Sequence, residues 1–112
     1  VDAMNIDLKG WQPDFYRRLG GDLAAVKHTI ARAVKSCHVE VTTLIIPGQN
    51  DSAGDMEEEA LWLASLCPDL PLHISRYFPR WHENTPATPI ETIERLAAIA
   101  RKHLRFVHKG NC

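Results

Sequence analysis

Val39-Glu40-Val41-Thr42-Thr43-Leu44-Ile45-Ile46, followed at once by Pro47-Gly48, is the stretch that decides the fold. It is β-branched and largely apolar, and it stops at a Pro-Gly break, which together mark a strand. The unbroken Leu44-Ile45-Ile46 run is the pattern of a strand covered on both faces, as in a parallel sheet. A parallel sheet needs crossover connections, so helices are expected on either side of this strand.

The neighbouring sequence supplies them. Upstream, Asp22 is a good N-cap, and Leu23, Val26, Ile30, Ala33 and Val34 recur at helical spacing, ending near Ser36-Cys37. Downstream, Asp51 or Ser52 can cap a helix over Ala53 to Leu66, with Met56, Ala60, Leu63 and Ala64 on one face. Its early acidic run, Glu57-Glu58-Glu59, reads as a solvated helix start favoured by the helix dipole. Further out, Val1 to Leu8 is a strand ending at Lys9-Gly10, and Pro13 opens a short helical turn broken by Gly20-Gly21. Leu72 to Phe78 alternates as a strand, and Pro79 to Pro89 is irregular and long enough to suggest a functional loop. Thr88 or Pro89 starts a last helix with Ile90, Ile93, Leu96, Ala97, Ala100 and Leu104 on its apolar face. Phe106-Val107 is a short final strand.

The order β-α-β-α-β-α-β implies right-handed crossovers and an α/β fold. Four strands with three helices amount to half of an incomplete parallel (β/α) barrel of TIM type. The whole chain, 1–112, reads as the C-terminal part of one such domain. Val1 opens mid-strand, which suggests a piece of something longer.

Composition sets limits. The 112 residues are 45% hydrophobic and 24% charged, the profile of an ordinary folded domain. A net charge of −1 gives no reason to expect a nucleic-acid partner. No apolar run approaches the roughly 20 residues that span a bilayer, and no signal peptide is visible, so a cytoplasmic location is expected. Cys37, Cys67 and Cys112 form no C-x-x-C pair, which fits a reducing compartment, with Cys37 and Cys67 as small packed residues at helix ends.

In parallel α/β folds ligands sit at the C-terminal ends of strands. There stand Asp7, Lys9 and Gly10, then Pro47, Gly48, Asn50 and Asp51, then Arg76, Tyr77 and Phe78, then Gly110 and Asn111. Asp7 and Lys9 alternate along one strand and so share a face. A carboxylate and an ammonium on one face suit a zwitterion such as an amino acid, or pair with each other as a structural ion pair.

Asn5-Ile6-Asp7-Leu8-Lys9-Gly10 followed by Phe15-Tyr16, then Val39 through Asp51 with its Ile46-Pro47-Gly48-Gln49-Asn50-Asp51 ending, then Leu72-His73-Ile74-Ser75-Arg76-Tyr77-Phe78-Pro79 and Thr88-Pro89, together resemble radical S-adenosylmethionine (SAM) activating enzymes. In order, they resemble the fourth, fifth and sixth barrel strands and the following helix of that family. The pattern is similar to pyruvate formate-lyase activating enzymes and to the branch found alongside AMMECR1- and Memo-type proteins. The resemblance implies that Asp7 and Lys9 contact the methionine part of SAM, and that Thr42 and Leu44 line its adenine side. It also implies an oxidoreductase parent. A [4Fe–4S] cluster would reduce SAM by one electron, giving methionine and a 5′-deoxyadenosyl radical that takes a hydrogen atom from a substrate such as a protein glycine.

Two departures accompany the resemblance. Phe78 stands where glycyl-radical activases carry a SAM-contacting His. The C-x-x-x-C-x-x-C motif that holds three irons of the cluster is missing, as is the glycine-rich segment for the SAM amino group; both are expected before Val1. The chain alone is therefore expected to be inactive, to bind no cofactor and to self-associate. The scattered histidines, His28, His38, His73, His82, His103 and His108, lack zinc spacing, so no metal site is expected, and His73 reads as a core or helix-facing residue. Two other readings stand beside the enzyme: a non-catalytic α/β binding domain, and a different TIM-barrel enzyme with loop-borne catalysis.

Overall fold

The computed structural model describes residues 3–81 and 83–111. Val1 and Asp2 of the expected first strand, His82 and Cys112 lie outside the described residues. The elements run β1 (Ala3–Asp7), α1 (Pro13–Arg18), α2 (Leu23–Ala33), β2 (His38–Ile45), α3 (Ala53–Leu66), β3 (Leu72–Arg76), α4 (Ile90–Ala100) and β4 (Val107–Gly110). The four strands form one all-parallel sheet in the order β1-β2-β3-β4.

Strands placed in chain order, each joined to the next by a right-handed crossover, put every connecting helix on the same side of the sheet. The burial pattern follows. Along β2, Val39, Val41, Thr43 and Ile45 are buried, while His38, Glu40, Thr42 and Leu44 between them are exposed or half-buried. Leu8, Val41, Ile45, Leu72 and Ile74 pack beneath the helices with Ile30, Met56, Leu63, Ile93 and Leu96 as one apolar core. There is no strand-order reversal, so this is a singly wound sheet, an arrangement compatible with half of a barrel.

The two-sided burial expected of Leu44-Ile45-Ile46 does not hold. Leu44 is 41% exposed, because no layer covers its face of the sheet. An apolar run describes side chains without saying what lies above them, and here only the helix side is filled. Smaller shifts concern element ends. β1 stops at Asp7 and β3 at Arg76, both short of the expected ends, and the last strand is Val107–Gly110 rather than Phe106-Val107.

Local chemistry explains the helix boundaries. The Asp22 carboxylate accepts from the Ala24 N–H and starts α2, and the Ser52 hydroxyl accepts from the Asp55 N–H and starts α3. Pro13 occupies the first turn of α1. Thr88, fully buried ahead of α4, donates its hydroxyl to the Ile45 carbonyl at 2.6 Å and accepts from the Tyr77 N–H at 3.0 Å. It ties the C-terminal ends of β2 and β3 together. The acidic run of α3 is not wholly solvated: Glu59 is 2% exposed and faces the sheet. Helical spacing places it on the same face as Met56 and Leu63, a phase the charge run conceals.

Candidate functional site

The uncovered face of the sheet carries the candidate residues. Strand register aligns Asp7 with Thr42, Thr42 with His73, and His73 with His108, so these four form one row across all four strands. One step towards the C-terminal edge lie Leu44, Ser75 and Gly110; one step back, Asn5 stands beside Glu40. Of the residues picked from sequence, Asp7, Thr42 and Leu44 thus share the open face near the C-terminal edge. Lys9 lies just beyond β1, with its Nζ 3.8 Å from Asp7 Oδ2, and both side chains are more than half exposed (56% and 68%). At that exposure the ion pair contributes little and leaves both groups accessible to a ligand.

The backbone beneath Lys9 is held tightly. The Lys9 N–H donates to the Tyr16 phenol oxygen at 2.7 Å, and the Asn50 side-chain amide donates to the Lys9 carbonyl at 2.9 Å. The same amide group donates to the Leu44 carbonyl at 2.8 Å, and its oxygen accepts from the Ile46 N–H at 2.7 Å. The turn that delivers Asn50 passes through Gly48, whose φ of 76° is the left-handed region that suits glycine. Gly10 is required by contact: a Cβ there would stand 2.7 Å from the Phe15 ring. Burial is the first cause raising the Tyr16 phenol above its ordinary range, and the hydrogen bond from Lys9 partly opposes it.

On the same face, in the row of Asp7 and Thr42 and the rows behind it, is a polar cluster that the sequence did not single out. His73 Nε2 donates to Glu40 Oε1 at 2.5 Å, and His38 Nε2 donates to Glu40 Oε2 at 3.0 Å. His108 stacks on His73 with ring centres 4.9 Å apart. The hydrogen bond from His73 first, then that from His38, holds the Glu40 carboxyl below its usual range. His73 is therefore not the core or helix-facing residue expected. Its neighbours Leu72 and Ile74 take the buried face, so alternation sends His73 to the open one. That phase was readable from Leu72-His73-Ile74, had the open face been known.

Other expected features fall elsewhere. Thr42 donates to Asn5 Oδ1 at 3.1 Å, consistent with a shared face. Phe78 is exposed and lies under the Arg76 guanidinium at 4.6 Å, beside a long segment carrying exposed Trp81. Cys37 and Cys67 are half-buried against the core beside the N-terminal ends of β2 and β3, the opposite end from Lys9, where both line a cavity of about 300 Å³. Among the described residues no group of three His, Cys, Asp or Glu side chains is arranged to hold a metal ion. A cavity of about 780 Å³ lies on the helix layer around Lys27, His28 and Trp62, and none of Asp7, Lys9, Thr42 or Leu44 lines it. No helix among the described residues is long and apolar enough to cross a membrane.

No protein-family model matches the chain. It is similar to an uncharacterized protein of Methanocaldococcus jannaschii, MJ0808, with 39% identity across 99% of the chain. The match covers 34% of that relative, so the chain spans about a third of its length.

Proposed function

We propose that the chain is the C-terminal half of a radical SAM barrel in a longer, cytoplasmic oxidoreductase of the activating-enzyme type, and that its open face binds SAM. The observation that carries this reading is the gathering of Asp7, Lys9, Thr42 and Leu44 at the C-terminal edge of the uncovered face of a singly wound sheet. Ligands of parallel α/β folds bind at that edge.

The residues present fit SAM. Asp7 and Lys9 offer a carboxylate and an ammonium to the opposite charges of its methionine part, and Thr42 and Leu44 offer a hydroxyl and an apolar surface on the neighbouring strand. The described residues do not fit an iron–sulfur cluster: Cys37 and Cys67 are at the far end of the sheet from Lys9, so in this reading the cluster's ligands come from outside the described residues. When bound, SAM supplies a hydrogen-abstracting radical after one-electron cleavage. The part of this chain is to hold the ligand: Lys9 leaves its exposed pairing with Asp7, and each group then takes a partner on the ligand. A protein substrate, as in the glycyl-radical activases that the motifs resemble, is part of this proposal.

The test is SAM affinity in the full-length protein. Asp7→Asn and Lys9→Ala should each weaken binding about tenfold to a hundredfold, corresponding to the roughly 1.5–3 kcal/mol carried by a hydrogen bond to a charged group. The cluster should stay intact in both variants. Unchanged affinity in both would leave Asp7 and Lys9 as a structural ion pair and favour a non-catalytic domain.

A further inference from the structure

We infer that Tyr16 and Asn50 are positioning residues for the ligand site, acting through Lys9. The inference rests on the SAM reading above and adds residues to which that reading gives no role.

Leu8 is fully buried, and its N–H donates to the Thr42 carbonyl at 2.9 Å, the last rung of the β1–β2 ladder. Beyond it the chain leaves the sheet, where a segment ordinarily gains freedom. Here it does not. Both backbone groups of Lys9 are taken by side chains from different elements, the N–H by Tyr16 of α1 and the carbonyl by Asn50 of the β2–α3 loop. The next residue, Gly10, is pressed against the Phe15 ring. Tyr16 is 2% exposed and Asn50 8%, so neither anchor competes with water. What remains exposed is the Lys9 side chain on its fixed stem.

Asn50 does more than hold Lys9. Its amide also joins the Leu44 carbonyl and the Ile46 N–H, so one side chain sets the distance between the end of β1 and the end of β2. Those ends carry the two halves of the candidate site, Asp7 and Lys9 on one side, Thr42 and Leu44 on the other. A backbone turn would satisfy the same groups without linking the two strands. Pre-organising Lys9 in this way removes ordering cost from ligand binding. It also explains why Phe15-Tyr16 and Gly48-Gln49-Asn50 accompany the Asp7-Leu8-Lys9 segment: their side chains and turn converge on one residue.

The experiment is a double-mutant cycle in the full-length protein, read as affinity for SAM and for S-adenosylhomocysteine by equilibrium dialysis. Tyr16→Phe and Asn50→Ala should each weaken binding about threefold to tenfold when Lys9 is present, and have no further effect on a Lys9→Ala background, the non-additivity expected of residues that act through one group. Equal losses on both backgrounds would overturn the inference and make the two residues general supports of the fold. Amide hydrogen exchange supplies a reading independent of SAM. Lys9 N–H exchange should be at least about tenfold faster in Tyr16→Phe, a conservative variant that keeps the buried ring, while the melting curve stays cooperative. Unchanged exchange would remove the clamp whatever the affinities. If exchange quickens but Lys9→Ala leaves SAM affinity unaltered, the clamp stands as structure and its assigned role falls; the SAM reading falls with it only if Asp7→Asn also leaves affinity unchanged.

Discussion

At the scale of single residues, Glu59 is the most exceptional group. It is buried on α3 against the sheet, where the Thr43 hydroxyl donates to it at 2.8 Å. Burial is the leading cause that pushes its carboxyl from about 4.5 up to about 8, and the Thr43 hydrogen bond partly opposes the rise. The sign of the effect on stability follows. Below pH 4.5 both folded and unfolded chains hold the proton. Between about 4.5 and 8 the unfolded chain has released it and the folded chain has not, so stability falls as pH rises, by about 1.4 kcal/mol per pH unit from this group. Above 8 the loss is complete. Glu59→Gln keeps the shape and an oxygen for Thr43 but cannot ionise. Its unfolding free energy in urea, minus that of the unaltered protein, should therefore grow between pH 5 and pH 8. A difference that stays constant with pH would show that Glu59 is not held protonated by the fold.

At the scale of elements, the helices depend on their starting residues. The Asp22 carboxylate satisfies the Ala24 N–H, one of the donors that a helix start leaves unpaired. α2 has no acidic residue in its first turn to take over the role. Asp22→Ala should accordingly cost about 1 kcal/mol, measured as a lower urea midpoint with an unchanged slope. A loss below a few tenths of a kcal/mol would mean that the packing of Leu23 and Ile30 alone holds the helix. The strands have a different dependence. Beyond their backbone ladders they are tied at the C-terminal edge by Asn50 and Thr88, two buried side chains from loops, which fix the spacing of the strand ends there. A ligand site gains most where its geometry is fixed.

At the scale of the molecule, the sheet has one filled face and one open face, and β1 pairs on one side only. An unpaired parallel edge is a template for another strand. The open face is less apolar than Leu44 alone suggests, since His73 and His108 share the row of Asp7 and Thr42, and Glu40 and His38 occupy the rows behind it. The edge, flanked by exposed Met4 on the helix side, is thus the stronger driver of association. The 112-residue chain should form a dimer or larger species through β1, visible as a rising mass in sedimentation equilibrium over a hundredfold range of concentration. A monomer throughout would count against an open half-barrel. In a closed barrel the same face would turn inward. Its polar rows contrast with the packed Val, Ile and Leu layers of an ordinary barrel interior.

Periodicity and caps are local properties, and they carried most of the architecture. Pro13, Asp22, Ser52 and the Pro47-Gly48 stop mark element boundaries because each acts on backbone groups a few residues away. The alternation of β1, and the order of helices and strands, were enough to place Asp7 and Lys9 at the C-terminal end of a parallel strand, while Thr42 and Leu44 came from the resemblance. The rest depended on contacts between distant segments. Which face of β2 stays open is decided by where the crossovers run, and no run of apolar letters records that. The burial of Glu59, the turning of His73 away from the helices onto Glu40, and the meeting of Tyr16 and Asn50 at Lys9 each join residues from different elements. Sequence determined which charged side chains share a strand end. Only the tertiary structure decided which of them are held still, because that depends on hydrogen bonds that form once strands and loops have been brought together.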